Sequence, residues 1–284
     1  MILKRKYHTL IAELPDLVID ERKLPYTALS YRNELYPQLS RADKKLFDLF
    51  FLKYDNKNLL SYLKDKEASF DERGRYTADD FDGLIQLCKE TEQPKQSLFP
   101  TYFVDFLNYY NRNDSSATVA SDTDYLSALY YKHALGCRNG FVRNWFEMNL
   151  DLYNILAALT CRKYHYPVAD FVIGDNATAK ALRTSHARDF GLGYDVENFE
   201  KIIAVWEEPD LLVKEERIDG LKWQWIEGHA VFFYFTVEKL FANLLMLDIL
   251  ERWTALDKKA GLEAFRTMVS AMKGAFKQEE KINI

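Results

Sequence analysis

The stretch "DLYNILAALTCR", residues 151–162, sets an acid, an amide and a base, Asp151, Asn154 and Arg162, into an otherwise apolar run. Glu147 stands four residues before the acid. On a helix, positions i and i+4 share a face, so Glu147 and Asp151 form a carboxylate pair of the kind that does acid/base work or holds a metal. With Arg162 as a third polar group, they define a candidate pocket for a helical enzyme or ligand-binding protein. A di-iron bundle, however, needs Glu-x-x-His on two of its helices, and that pattern is absent. The five histidines, His8, His133, His165, His186 and His229, have no second histidine at i+3 or i+4. Phosphate-loop, dinucleotide, zinc-protease and hydrolase motifs are missing too, so no catalytic, metal or cofactor site is expected.

The competing reading is architectural. Asp151 and Asn154 are i, i+3 neighbours that can both face an adjoining helix and hydrogen-bond its exposed backbone ends or a basic partner. Arg162 is expected in the last turn of its helix, where a cation opposes the macrodipole.

The chain that must position these residues has 284 residues, 48% of them hydrophobic, enough for a sizeable core. Its 38 Lys and Arg against 43 Asp and Glu give a net charge of −5, without the basic excess of a phosphate-backbone binder. Cys88, Cys137 and Cys161 are widely spaced and form no C-x-x-C pair, as expected of a cytoplasmic protein. The most membrane-like window, residues 230–250, carries Glu238 and Lys239 near its centre and reads as a core helix.

Helical periodicity dominates, and the expected class is all-α. Ser40 opens a long helix over residues 40–66, Thr77 caps a shorter one with Asp80 three residues on, and another follows Pro100. Residues 111–124 read as a polar loop, giving an N-terminal helical subdomain, 1–115, and a C-terminal helical region, 116–284. A second long helix ends before Pro167, and Asp195 is expected to cap the helix that follows it. Further helices are expected after Pro209, from Ala230, and over residues 261–276.

Placing Asp55 against Asp151 aligns "DNKNLLSYLKDK" with "DLYNILAALTCR" and yields D-x-x-N-[L/I]-L-x-x-L-x-x-[K/R] twice, 96 residues apart. The repeated polar positions are Asp55, Asn58 and Lys66 in the first copy and Asp151, Asn154 and Arg162 in the second. A weak third copy surrounds Asn243, with Leu240 in place of the acid.

Long helices bearing this signature at this spacing resemble the C-type (also called d-type) subunit of V/A-type rotary ATPases. A narrower resemblance is to a bacterial family of unknown function that accompanies V-type ATPases and is similar to a divergent C-type subunit. "YHTLIAELPDL", residues 7–17, is similar to that family's N-terminal pattern, and residues 145–163 are similar to the helices of the C-type subunit. The resemblance implies repeated helical bundles in a pseudo-threefold arrangement and a non-catalytic role in ion or proton transport. It implies as partners the central stalk and the membrane rotor ring, at the cytoplasmic face of the inner membrane, without a span. The chain departs from the pattern in its shorter length, in Leu240, and in "HARDFGLGYD", residues 186–195, which has no counterpart.

Overall fold

In a computed structural model the described residues are 6–19, 24, 26–92, 94, 98–112 and 119–255. Among them the regular structure is helical, with no strand. The first helices are α1 (His8–Ala12) and α2 (Ala28–Glu34), and a 3-10 turn at Tyr36–Gln38 then leads into the long α3 (Arg41–Lys64). Ser40 caps α3 by accepting from the Asp43 amide at 3.2 Å, and its own amide donates to the Tyr7 hydroxyl at 3.0 Å. Tyr7 in turn donates to Asp43 Oδ2, so the N-terminal segment completes the cap that begins the central helix.

Next come α4 (Ala78–Glu90), with the expected Thr77–Asp80 capping box, α5 (Thr101–Arg112) and α6 (Val119–Leu135). Helix α6 includes residues 119–124, which the polarity of the segment assigned to a loop; Asp122 favours its first turn. The hub of the molecule is α7 (Gly140–Tyr164), which packs against α6 and against five later helices: α8 (Val168–Phe171), α9 (Ala177–Thr184), α10 (Phe199–Glu207), α11 (Leu211–Ala230) and α12 (Val237–Ala255). It stops without glycine. His165 takes a left-handed conformation (φ 60°), and the amides of His165 and Tyr166 turn back onto the carbonyls of Arg162 and Cys161.

Two expected boundaries differ. Among the described residues Asp195 caps no helix: α10 starts at Phe199 behind a left-handed Asn198, and Asp195 belongs to a turn closed onto Leu192. The apolar window 230–250 is broken by a turn at residues 231–236 that separates α11 from α12, where a run of β-branched and aromatic residues has little intrinsic preference for helix. Among the described residues no helix is long and apolar enough to cross a membrane. The helix expected over residues 261–276 lies outside the described residues.

Burial divides into two apolar clusters. The larger gathers Phe47, Phe51, Phe81, Phe103, Phe106 and Phe241 from the N-terminal helices and α12. The smaller surrounds the C-terminal half of α7, with Ile155, Ala158, Leu182, Phe190 and Phe199. Helix α7 serves both clusters because its first half faces one and its second half the other. A polar lock joins α3 to α12: Asp248 receives Lys53 Nζ at 2.5 Å and the Tyr54 hydroxyl at 2.6 Å. Burial pushes the Asp248 carboxyl up, but Lys53 and Tyr54 outweigh it and the net shift is downward.

Candidate functional site

The repeated amide positions make the same contact twice. In the second half of α3, Asn58 is buried, its Oδ1 accepting from the Asp71 amide at 2.8 Å and its Nδ2 donating to the Asp71 carbonyl at 3.0 Å. In the second half of α7, Asn154 Oδ1 accepts from the Ile173 amide at 2.9 Å and Nδ2 donates to the Ile173 carbonyl at 2.8 Å. Each side-chain amide stands in for a strand neighbour, satisfying both polar groups of one residue in the segment that returns from the long helix. Asn243 in α12 makes no such clamp among the described residues.

The acids work beside the clamps. Asp55 Oδ1 accepts the amides of Arg75 at 2.5 Å and Tyr76 at 3.2 Å, just ahead of the Thr77 cap of α4. Asp151 Oδ1 accepts from Nδ2 of Asn176, which itself caps α9. Both carboxylates therefore hold the entry to a later helix, α4 through main-chain amides and α9 through the capping side chain. The bases diverge. Lys66 lies beyond the end of α3, because Asp65 has already left helical geometry, and it pairs with Asp82 at 2.7 Å. Arg162 does sit in the last turn of α7, where its guanidinium binds the carbonyls of Ser185, Ala187 and Arg188 and stacks on Phe190.

Glu147 and Asp151 open onto a cleft of about 540 Å³ among α7, α9, α10, α11 and residues 191–198. Arg162 does not reach it; eleven residues along α7 from Asp151, its donors are engaged elsewhere. The pocket expected from Glu147, Asp151 and Arg162 therefore assembles from the two acids alone. Asp195, Glu197, Trp225 and His229 join them. His229 stacks on Trp225 with ring centroids 4.1 Å apart, its Nδ1 lies 2.9 Å from the Trp225 carbonyl, and its Nε2 faces Glu197 at 3.8 Å. Hydrogen bonding to a carbonyl places the proton on Nδ1. Burial raises the Asp151 carboxyl, and the nearby Glu147 adds to this, against hydrogen bonds from Asn176 and Thr178 that lower it. Among the described residues no Lys or Arg lines the cleft, so its field favours cations and disfavours phosphates. Among the described residues no group of three or more His, Cys, Asp or Glu is placed to hold a metal ion.

This arrangement can be set beside known proteins. Residues 4–275 match the family described as Protein of unknown function (DUF2764). The chain belongs to this family. No curated protein and no solved structure matches it. In this DUF2764 chain the cleft residues on residues 191–198 and α11 carried no spacing signal, since they meet α7 only through tertiary packing. The Asn pair, by contrast, was legible from the alignment of residues 55–66 with 151–162.

Asp55 should also make the stability of this chain depend on pH. Its side chain is fully buried, Oδ2 has no hydrogen-bond partner among the described residues, and burial pushes its pKa up to about 6 against the opposing amides of Arg75 and Tyr76. A carboxyl raised in the folded state contributes stability that is complete below its unfolded pKa and is lost as pH rises through the folded one. Asp55→Asn removes that titration. Relative to wild type, the variant is expected to gain about 2–3 kcal/mol between pH 4 and pH 7. Urea unfolding at both pH values measures the difference, and a pH-independent gap would disprove the assignment.

Proposed function

We propose that the chain is a non-catalytic component of a bacterial V-type rotary ATPase, similar to the C-type subunit, that couples the central stalk to the membrane rotor ring or aids assembly of the complex. The observation that carries this reading is the recurrence of the Asn clamp at Asn58 and Asn154 in corresponding parts of two long helices. The acid, amide and base of "DLYNILAALTCR" are engaged in holding backbone segments and a helix cap, as a scaffold of repeated units requires. The proposed place is peripheral, at the cytoplasmic face of the inner membrane, with the rotor ring and the central stalk as partners.

Affinity purification of the tagged full chain from its native host is expected to bring down V-type ATPase subunits. Isolation of an intact, active V-type complex without this chain, from cells that express it, would exclude the proposal. A second reading, a cation-binding protein or an enzyme, is favoured by the acid-lined cleft at Glu147 and Asp151.

A further inference from the structure

We propose that the turn between α11 and α12 docks this protein onto the surface of an anionic lipid bilayer, with its aromatic tip in the interfacial layer and a rim of cations on the headgroups. The tip is unusually apolar for an exposed segment: Phe232 is 82% exposed, Tyr234 67% and Val231 54%. It is also firmly held. Phe233 packs against Phe141, the Phe235 carbonyl accepts from the Tyr7 amide at 2.8 Å, and the Phe235 ring lies 4.2 Å from that of His8. Packing on both flanks thus presents Phe232 and Tyr234 outward instead of letting them fold back.

The contacts that hold the turn also bring cations to it. Lys6 precedes Tyr7, Arg138 precedes the Asn139 that donates to Glu238 at 3.0 Å, and Lys239 follows Glu238 in the first turn of α12. Lys6, Arg138 and Lys239 are all exposed, and none forms an ion pair among the described residues. The acid nearest in sequence to the tip, Glu238, is buried.

Phe and Tyr with adjacent Lys and Arg is the composition that partitions into headgroup regions, and the cations select anionic lipid over zwitterionic. An exposed turn of six residues is far smaller than the roughly 800 Å² per partner of a stable protein interface, whereas a bilayer admits an apolar tip of any outline. The whole chain carries a net charge of −5, so attraction to anionic lipid has to come from local groups of cations and not from the chain's overall charge. These residues are separate from the repeated helices, and lipid alone tests them without any ATPase component.

The full chain is expected to co-sediment with vesicles of equal parts phosphatidylglycerol and phosphatidylcholine, and to stay in solution with phosphatidylcholine alone. Phe232→Ser with Tyr234→Ser should weaken binding about tenfold or more, and Lys6→Glu with Lys239→Glu about as much. Both pairs alter exposed side chains; circular dichroism identifies a misfolded variant, and the other pair then decides. Absence of sedimentation with anionic vesicles, or unchanged binding by a folded variant, overturns the proposal. So does a wild-type dimer in solution that Phe232→Ser with Tyr234→Ser converts to monomer, since the tip would then be a protein contact.

Discussion

Asn154→Ala is expected to lower the free energy of unfolding by about 3–5 kcal/mol, among the largest effects of any polar substitution in the chain. Asn154 is fully buried and is the partner of both the amide and the carbonyl of Ile173, at 2.9 and 2.8 Å. Truncation leaves two buried main-chain groups without partners, each carrying a desolvation penalty of about 1–3 kcal/mol, and adds the loss of packing around Cγ. Asn154→Asp preserves the acceptor but turns a carboxylate oxygen toward the Ile173 carbonyl, so it should be tolerated better at low pH than at pH 7. Asn58→Ala should cost about as much, because Asn58 makes the same two bonds to Asp71. Asn149 is the control: it is half-buried and its amide donates to the Trp145 carbonyl one turn back, so Asn149→Ala should cost under about 1 kcal/mol. Urea unfolding followed by circular dichroism ranks the three. A cost at Asn154 no greater than at Asn149 would mean that the clamp does not hold the fold.

Gly74→Ala is expected to be nearly as damaging, about 2–4 kcal/mol, although it adds a single methyl group. An added Cβ would lie 2.5 Å from Asn58 Nδ2, 2.9 Å from Asp55 Oδ1 and 3.2 Å from the Asp71 carbonyl oxygen. Neither side chain can yield cheaply: Asn58 is bonded to Asp71 and Asp55 to the amides of Arg75 and Tyr76. Arg32 adds rigidity by donating to the carbonyls of Glu72, Arg73 and Gly74. The methyl group must therefore push apart the clamp, the turn, or both. A double-mutant cycle checks the cause. In an Asn58→Ala background, much of the Gly74→Ala cost should disappear, because the 2.5 Å clash and one of the bonds it breaks are already gone. Full additivity would locate the strain somewhere other than the clamp.

Both predictions rest on residues whose importance was partly readable in advance. The pairing of Asn58 with Asn154 follows from an alignment of two stretches of sequence, since an amide among leucines needs a polar partner wherever it is buried. What it bonds to was not readable. The expected target was the exposed end of an adjoining helix, but the partner in each case is one residue of an irregular segment, 13 positions on in one copy and 19 in the other. Those unequal intervals hide the equivalence from any alignment. The terminal base shows the opposite outcome: Lys66 and Arg162 align, yet Lys66 meets an aspartate and Arg162 three carbonyls, because a cation at a helix end takes whichever acceptors the local chain offers.

Sequence alone determined the all-helical class, the two long helices, the caps at Ser40 and Thr77, and the repeat. These depend on periodicity and on hydrogen bonds between residues three or four apart, which spacing encodes directly. The tertiary structure decided the rest. It broke the apolar window at residues 231–236 and exposed Phe232 and Tyr234, and it brought Asp195, Glu197 and His229 to Glu147 and Asp151 while leaving Arg162 out. Burial and convergence of this kind depend on which helix faces meet across long stretches of chain. Local pattern sets the period of an apolar stripe, and only packing selects what covers it.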